Sequence, residues 1–241
     1  MPSVENLTVR DIAANSLAAV RVFEKLGIDY CCGGSRPLAD VCREKGFDTS
    51  AVQSELNAAM AGMQSADHDW GTAPLTELIG HIVRTHHEYL LRELPAIQTR
   101  LEKVYRVYNQ RYSPALIGLP EVFKSLRAEL ELHLRKEEKI LFPAIAAYEA
   151  AARAGQPLPA KPFGAFSNPI RMMEVEHEST GEALAAIREI TRDFEVPDYA
   201  CVTYRALMSG LDELERDLHM HIHLENNILF PRAEKLEASQ R

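Results

Sequence analysis

The sequence has no long apolar run, little glycine or proline, a single tryptophan and no excess of positive charge. Its 27 Lys and Arg face 35 Asp and Glu, a formal net charge of -8. No basic stripe interrupts that balance, so a nucleic-acid partner, which needs clustered Lys and Arg against phosphates, is excluded. No stretch approaches the roughly 20 apolar residues that cross a bilayer, so no membrane partner is expected. The opening residues, MPSVENLTVRDIAANS, carry neither a basic leader nor an apolar run, and a secretory signal is not expected. The expectation is a cytoplasmic protein whose four cysteines are reduced thiols. With 46% hydrophobic and 26% charged residues over 241 positions, the chain suits one good-sized core with a small appendage.

Helical periodicity fills the space that the scarce Gly and Pro leave open, and the fold class is all-α. Residues 1–65 contain short amphipathic pieces. Thr8 with Asp11 three positions on is a capping-box start, and CCGGSRP at 31–37 is a turn, because paired glycines and a proline break any helix. AGMQSADHDWGTAP, 61–74, is a linker. Four long helices follow at about 74–105, 119–149, 168–194 and 198–237, with a Pro- and Gly-rich connection between the second and third. Residues 74–241 are therefore expected to form an antiparallel four-helix bundle, preceded by a small helical N-terminal domain.

The second and fourth helices repeat one another. HLRKEEKILFP starts at His133 and HIHLENNILFP at His221, each reading H-x3-E and then, two residues on, I-L-F-P. The first and third helices match at nearly the same offset, HEYLLRELPAI from His87 and HESTGEALAAI from His177. Each half of the bundle thus offers one His from one helix and H-x3-E from the next. Residues four apart share a helix face, so His133 and Glu137 reach one point, as do His221 and Glu225. Apolar same-face neighbours place them inside: Leu126, Leu130 and Ile140 around His133; Leu214, Leu218, Leu224 and Ile228 around His221; Val83, Leu90, Leu91 and Leu94 around His87. Four imidazoles and two carboxylates in an apolar interior are costly unless they bind something. Two iron ions, bridged by both carboxylates and each held by two histidines, use all six groups, and this donor set suits iron or manganese. Duplication without metal would explain the ILFP repeats but not the inward acids and imidazoles.

His86 competes with His87, and the repeat alignment favours His87. His219 and His223 fall on the opposite face among Asp212, Glu215, Arg216 and Asn226, where solvent is expected; His68 lies in the linker, and His81 has no repeat partner. One turn before each H-x3-E lies an acid, Glu129 or Asp217, able to orient a ligand or relay protons. Cys31 and Cys32 are adjacent, a poor chelate for one metal, and a disulfide between them would be strained and readily reduced. Cys42 and Cys201 sit among apolar helical neighbours and are expected to be buried.

The ordered pattern His, H-x3-E, His, H-x3-E resembles that of the hemerythrin-like family. IDYCCGG at 28–34, DWGTAPLTELIGHIV, the H-x3-E-E-x-ILFP run and HLENNILFPRA are similar to the iron-sulfur cluster repair di-iron proteins within it, as are Met173, Glu174, Glu176 and His177. The resemblance spans almost the whole chain. It implies a non-haem di-iron centre on His87, His133, Glu137, His177, His221 and Glu225, with Glu137 and Glu225 bridging. It also implies damaged iron-sulfur cluster proteins as partners, nitric oxide or dioxygen as a small ligand, and a homodimer. Cys31 and Cys32 become candidates for redox or transfer chemistry. Donation of labile iron and binding or reduction of nitric oxide both fit the resemblance, as does a module that only senses or stores the gas. A ferritin-like oxidase is set aside, since it needs Glu-x-x-His pairs. His86 departs from relatives, which often carry Tyr there.

Overall fold

The capping box at Thr8 forms as the sequence implies. The Asp11 amide donates to Thr8 Oγ1 (3.1 Å) and the Thr8 amide to Asp11 Oδ2 (3.3 Å). In the computed structural model, the described residues are 7–240 apart from 15, 32, 62–68 and 109–115. Among them the only extended pairing is an isolated bridge between Thr8 and Pro37, and no helix is long and apolar enough to cross a membrane.

Contacts divide the chain into two compact units, Met1–Leu78 with Ile222–Arg241, and Ile79–His221. The first contains α1 (Val9–Ala14), α2 (Leu17–Leu26), α3 (Leu38–Lys45) and α4 (Thr49–Ala61). Helices α2 and α3 stop at Gly27 and Gly46, both left-handed, the usual glycine C-cap. Between α2 and α3 the chain folds tightly around Asp29, whose carboxylate accepts from the amides of Cys31 (2.9 Å) and Gly33 (2.8 Å). Only glycine fits at 34, where a Cβ would stand 2.6 Å from the Tyr30 carbonyl oxygen.

The bundle is built from four longer elements. Helix α5 comprises Leu75–Ile82, a π turn at Val83–His87, and Glu88–Tyr108. Helix α6 comprises Leu119–Lys136, a π turn at Glu137–Leu141, and Phe142–Ala154. Helix α7 is Ser167–Thr191. Helix α8 comprises Val202–His223, a π turn at Leu224–Leu229, and Phe230–Ala238. Cross-helix pairs run in opposite directions along neighbours: Glu129 meets Ser179 while Lys136 meets Glu176, and Asp217 meets His86 while Tyr199 meets Tyr108. The bundle is antiparallel, as expected. Its core joins Leu90, Leu94, Ile97 and Leu101 to Leu119, Phe123, Leu126 and Leu130, and to Leu184, Leu207, Leu211 and Leu214. Each such buried side chain contributes roughly 1.5–3 kcal/mol. Gly210 lets α8 approach α5 closely, since a Cβ there would lie 3.2 Å from Arg100 and 3.4 Å from Ile97.

Each π turn inserts one extra residue and shifts the inward stripe by one position. In α6 the buried positions run Leu130, Leu134, Glu137 and then Leu141, Phe142, Ile145, Tyr148. Ile140, expected beside His133, is 49% exposed. In α5, Ile82 is followed inward by His86 and His87 and then by Leu90 and Leu94, which leaves Leu91 51% exposed. At Ile140 the cause is the π turn, through which a uniform 3.6-residue period does not hold; Leu91 lies on regular helix, at the edge of the stripe that Leu90 and Leu94 define. Helix α7 has no such turn, and its buried positions keep an unbroken three-four spacing from Ile170 to Thr191.

Helix α7 ends in three consecutive left-handed residues, Arg192, Asp193 and Phe194, with φ of 51, 56 and 59°. Arg188 ties this turn down by pairing with Asp193 and Glu215 and lying 4.8 Å over the Phe194 ring. The long α6–α7 connection is anchored by Lys161, whose ammonium lies 4.3 Å from the Tyr148 ring and 4.6 Å from that of Phe166.

Candidate metal centre

The six residues singled out by the repeat are all buried, with exposures from 0% for His87, Glu137 and Glu225 to 3% for His133. The histidines form two pairs: His87 Nε2 lies 3.2 Å from His221 Nε2, and His133 Nε2 lies 3.2 Å from His177 Nε2. For bonds of about 2.1 Å, two donors on adjacent corners of a coordination polyhedron stand about 3 Å apart, so the spacing matches shared ligation. Glu137 sits between the pairs, with one oxygen 3.5 Å from His87 Nε2 and 3.4 Å from His133 Nε2. Glu225 lies one turn beyond His221 on the same continuous helix. Two donor sets result, His87–Glu137–His221–Glu225 and His133–Glu137–His177–Glu225, with one donor atom from each residue within 4.8 Å of the others. Both carboxylates belong to both sets, so the cluster is able to hold metal.

The back sides of two imidazoles are held by acids. His87 Nδ1 is 3.0 Å from Glu138, and His133 Nδ1 is 2.8 Å from Glu176. A carboxylate at Nδ1 keeps the proton there and turns the Nε2 lone pair inward, the tautomer a metal ligand requires. Lys136 also pairs with Glu176. The hydrogen bond from His133 and then the Lys136 ammonium hold the Glu176 carboxyl down at about 2.

The acids that touch these histidines differ from those expected. Glu129 accepts instead from Ser125 (2.9 Å) and Ser179 (3.2 Å). Asp217 accepts from a histidine, but it is His86, at 2.9 Å. Glu138 and Glu176 belong to the quoted motifs and each directly adjoins a proposed ligand, but neither was assigned a role in holding a histidine. His86 is buried at 4% and its ring runs nearly parallel to that of His221, 5.7 Å away. The π turn thus brings both adjacent histidines inward, with only His87 in the donor sets.

His223, Asn226 and Glu215 were expected in solvent and are buried. Every residue from 222 to 230 is buried, because the turn at Tyr30 and Cys31 covers the face of α8 that bears His223 and Asn226, and Glu215 is drawn in by Arg188. Burial pushes the His223 imidazole down to about 4. His223 serves the first unit: Asn227 donates to His223 Nδ1 (2.8 Å) and to the Tyr30 carbonyl (2.8 Å), while Asn226 donates to the Cys31 carbonyl (3.4 Å). Cys31 itself is 3% exposed, with Sγ 3.4 Å from Asp29 Oδ1; Cys32 and His68 lie outside the described residues. Cys42 is buried as expected. Cys201 is exposed at the start of α8, because the helix begins only at Val202, and the hydrogen bond with Tyr108 holds its thiol below the usual range.

Two pairs of histidines sharing two carboxylates inside an antiparallel bundle define a hemerythrin-like cation-binding protein, and the profile of the hemerythrin HHE cation binding domain matches residues 78–233. That of ScdA_N, a domain of unknown function, matches residues 5–60. The chain is 38% identical over 223 residues to the iron-sulfur cluster repair protein YtfE of Citrobacter koseri, covering 92% of this chain and 94% of that one. The YtfE proteins of Escherichia coli O81 and Escherichia fergusonii match over the same shares at 38% and 37% identity. The chain belongs to the family of these hemerythrin-like iron-sulfur cluster repair proteins.

Proposed function

We propose that the protein holds a non-haem di-iron centre and uses it to repair iron-sulfur clusters damaged by nitrosative or oxidative stress. His87 and His221 would hold one iron and His133 and His177 the other, with Glu137 and Glu225, which belong to both donor sets, shared between them. The observation that carries this reading is the position of Glu137, whose single oxygen stands about equally far from Nε2 atoms of two separate histidine pairs. Imidazole with carboxylate, and no thiolate in either donor set, suits iron. Bound there, two iron ions supply labile metal for a damaged cluster and open positions for nitric oxide or dioxygen.

The residues around the site support both uses. The Phe142 ring stacks on that of His87 at 5.6 Å, and Leu130, Leu134 and Leu141 are buried within four residues of the donors His133 and Glu137 along α6, which limits water. Glu138 and Glu176 are only partly buried, at 32% and 29% side-chain exposure. They therefore link two inward-facing imidazoles to solvent. The Cys31 thiol, shielded against Asp29, must be uncovered before it acts on a partner.

The test is metal content. Protein loaded anaerobically with ferrous iron and then exposed to air is expected to hold close to two irons per chain with an oxo-bridge absorption, both lost in a Glu137→Ala, Glu225→Ala variant. A single zinc, or full iron retention in that variant, defeats the proposal. For function, recovery of a nitrosylated cluster protein is followed on adding the reduced protein. Recovery that is unchanged in a Cys31→Ser, Cys32→Ser variant removes the cysteines from the mechanism.

A further inference from the structure

The two glutamates of the donor sets share a backbone peculiarity. The Phe142 amide donates to the Glu137 carbonyl and the Phe230 amide to the Glu225 carbonyl, each spanning five residues rather than four. In both helices the next residue is a proline, Pro143 or Pro231. In an uninterrupted α-helix those positions would donate to the carbonyls of Lys139 and Asn227. Proline lacks the donor, and its ring collides with the carbonyl four residues back. A turn widened by one residue relieves that collision.

We propose that Pro143 and Pro231 are positioning residues of the metal centre, barring the α-helical alternative and so holding Glu137 and Glu225 in the π register. This rests on the metal reading above. The π register lets each helix keep its glutamate inward, Glu137 or Glu225, while the apolar pair that follows, Leu141 with Phe142 or Leu229 with Phe230, is also inward; in an α register the glutamate and that pair would turn against one another, and the carboxylate would lose its aim at the histidine pairs. Both prolines are exposed, so they act through the backbone and not by filling the core. Two features of the same bundle bound the claim. Pro95 lies inside the regular helix Glu88–Tyr108, so a proline does not by itself make a π turn. The π turn at Val83–His87 has no proline behind it, and it presents a histidine, not a carboxylate. The Phe-Pro pairs belong to the two carboxylate-bearing turns.

The experiment compares Pro143→Ala and Pro231→Ala, made singly, with Pro95→Ala and wild type. Iron-loaded protein is mixed with a ferrous chelator and iron loss is timed; the absorption of the bridged centre is recorded; the metal-free protein is melted separately. The expected result at 143 and 231 is iron loss faster by on the order of tenfold, as when other groups that orient metal ligands are removed. The absorption shifts and the metal-free melting temperature is unchanged or raised. Pro95→Ala keeps wild-type iron loss. Wild-type iron loss and absorption in both variants overturn the proposal, as does a fall in metal-free melting temperature that parallels the loss of iron, or equal iron loss in Pro95→Ala. Should wild type take up no iron, the metal reading fails instead. The proline claim is then read from the hydrogen-bond partner of the Phe142 amide in metal-free Pro143→Ala, which must move from the Glu137 carbonyl toward the Glu138 carbonyl by through-bond NMR coupling; retention of the Glu137 partner overturns the claim.

Discussion

Replacing Glu137 by Gln separates what this residue does for the metal from what it does for the fold. The side chain keeps its size but loses its charge, at a position with 0% exposure. With metal bound, a carboxylate shared by both donor sets is removed from both at once. Taking one partner from a buried ionic contact costs about 3–5 kcal/mol, so iron affinity falls roughly a hundred- to three-thousand-fold, at tenfold per 1.4 kcal/mol. Without metal the sign reverses. A fully buried carboxylate among four imidazoles carries a desolvation cost that a neutral amide avoids, about 1–3 kcal/mol. The amide NH2 of Gln can also donate to the His87 and His133 lone pairs that Glu137 faces at 3.5 and 3.4 Å. At about 2–4 °C per kcal/mol for a chain of this size, the metal-free variant melts roughly 2–12 °C above wild type. Iron titration and thermal melts followed by circular dichroism, on metal-free and iron-loaded samples, give both quantities. A metal-free variant that melts below wild type and still binds two irons at wild-type affinity would refute the reasoning.

Two further outcomes follow from the same geometry. The Glu176 carboxyl is held at about 2, below the ordinary glutamate value of 4.5, so the stability it supplies is present above pH 4.5 and is lost as pH falls toward 2. Metal-free wild type should therefore melt above Glu176→Gln at pH 6, with the gap closing by pH 2; a gap independent of pH would sink this account. In the first unit, Asn227→Ala removes the donor to the Tyr30 carbonyl and to His223. Leaving buried acceptors without it costs about 1–3 kcal/mol, read as a lower melting temperature and faster amide exchange around Cys31. Exchange unchanged there would show that the tie is not structural.

The donor set was legible because its chemistry and its spacing are both unusual. Two inward H-x3-E pairs, each followed by ILFP, can be found without knowing how the helices turn, since the four-residue step from His to Glu precedes the extra residue in α6 and the repeat supplies the rest. What lies just beyond the donors was not legible. A single helical period places Ile140 inside, where the extra residue of a π turn carries it outward; Leu91 sits at the edge of the stripe set by Leu90 and Leu94, and His223 and Asn226 are covered by the turn at Tyr30 and Cys31, which no helical period reveals. A trace of the slip is present in α5: inward Ile82 and Leu90 are eight residues apart where two regular turns would give seven. The role of Glu138 and Glu176 was hidden for a different reason. Sequence spacing describes one helix at a time, whereas these acids reach histidines across the bundle, 51 and 43 positions away.

The left-handed turn at Arg192–Phe194 bears on where the bundle opens first. Left-handed backbone costs a non-glycine residue about 1–2 kcal/mol, and three stand in a row here. Their restraint comes mainly from Arg188, which faces Asp193, Glu215 and the Phe194 ring. This end lies far along the helices from the buried histidines and borders the small cavity between Leu116, Ile190 and Tyr204, about 100 Å³. Local opening is therefore expected to begin at the α7–α8 corner, with the histidines of the donor sets, each at most 3% exposed, still covered at the other end.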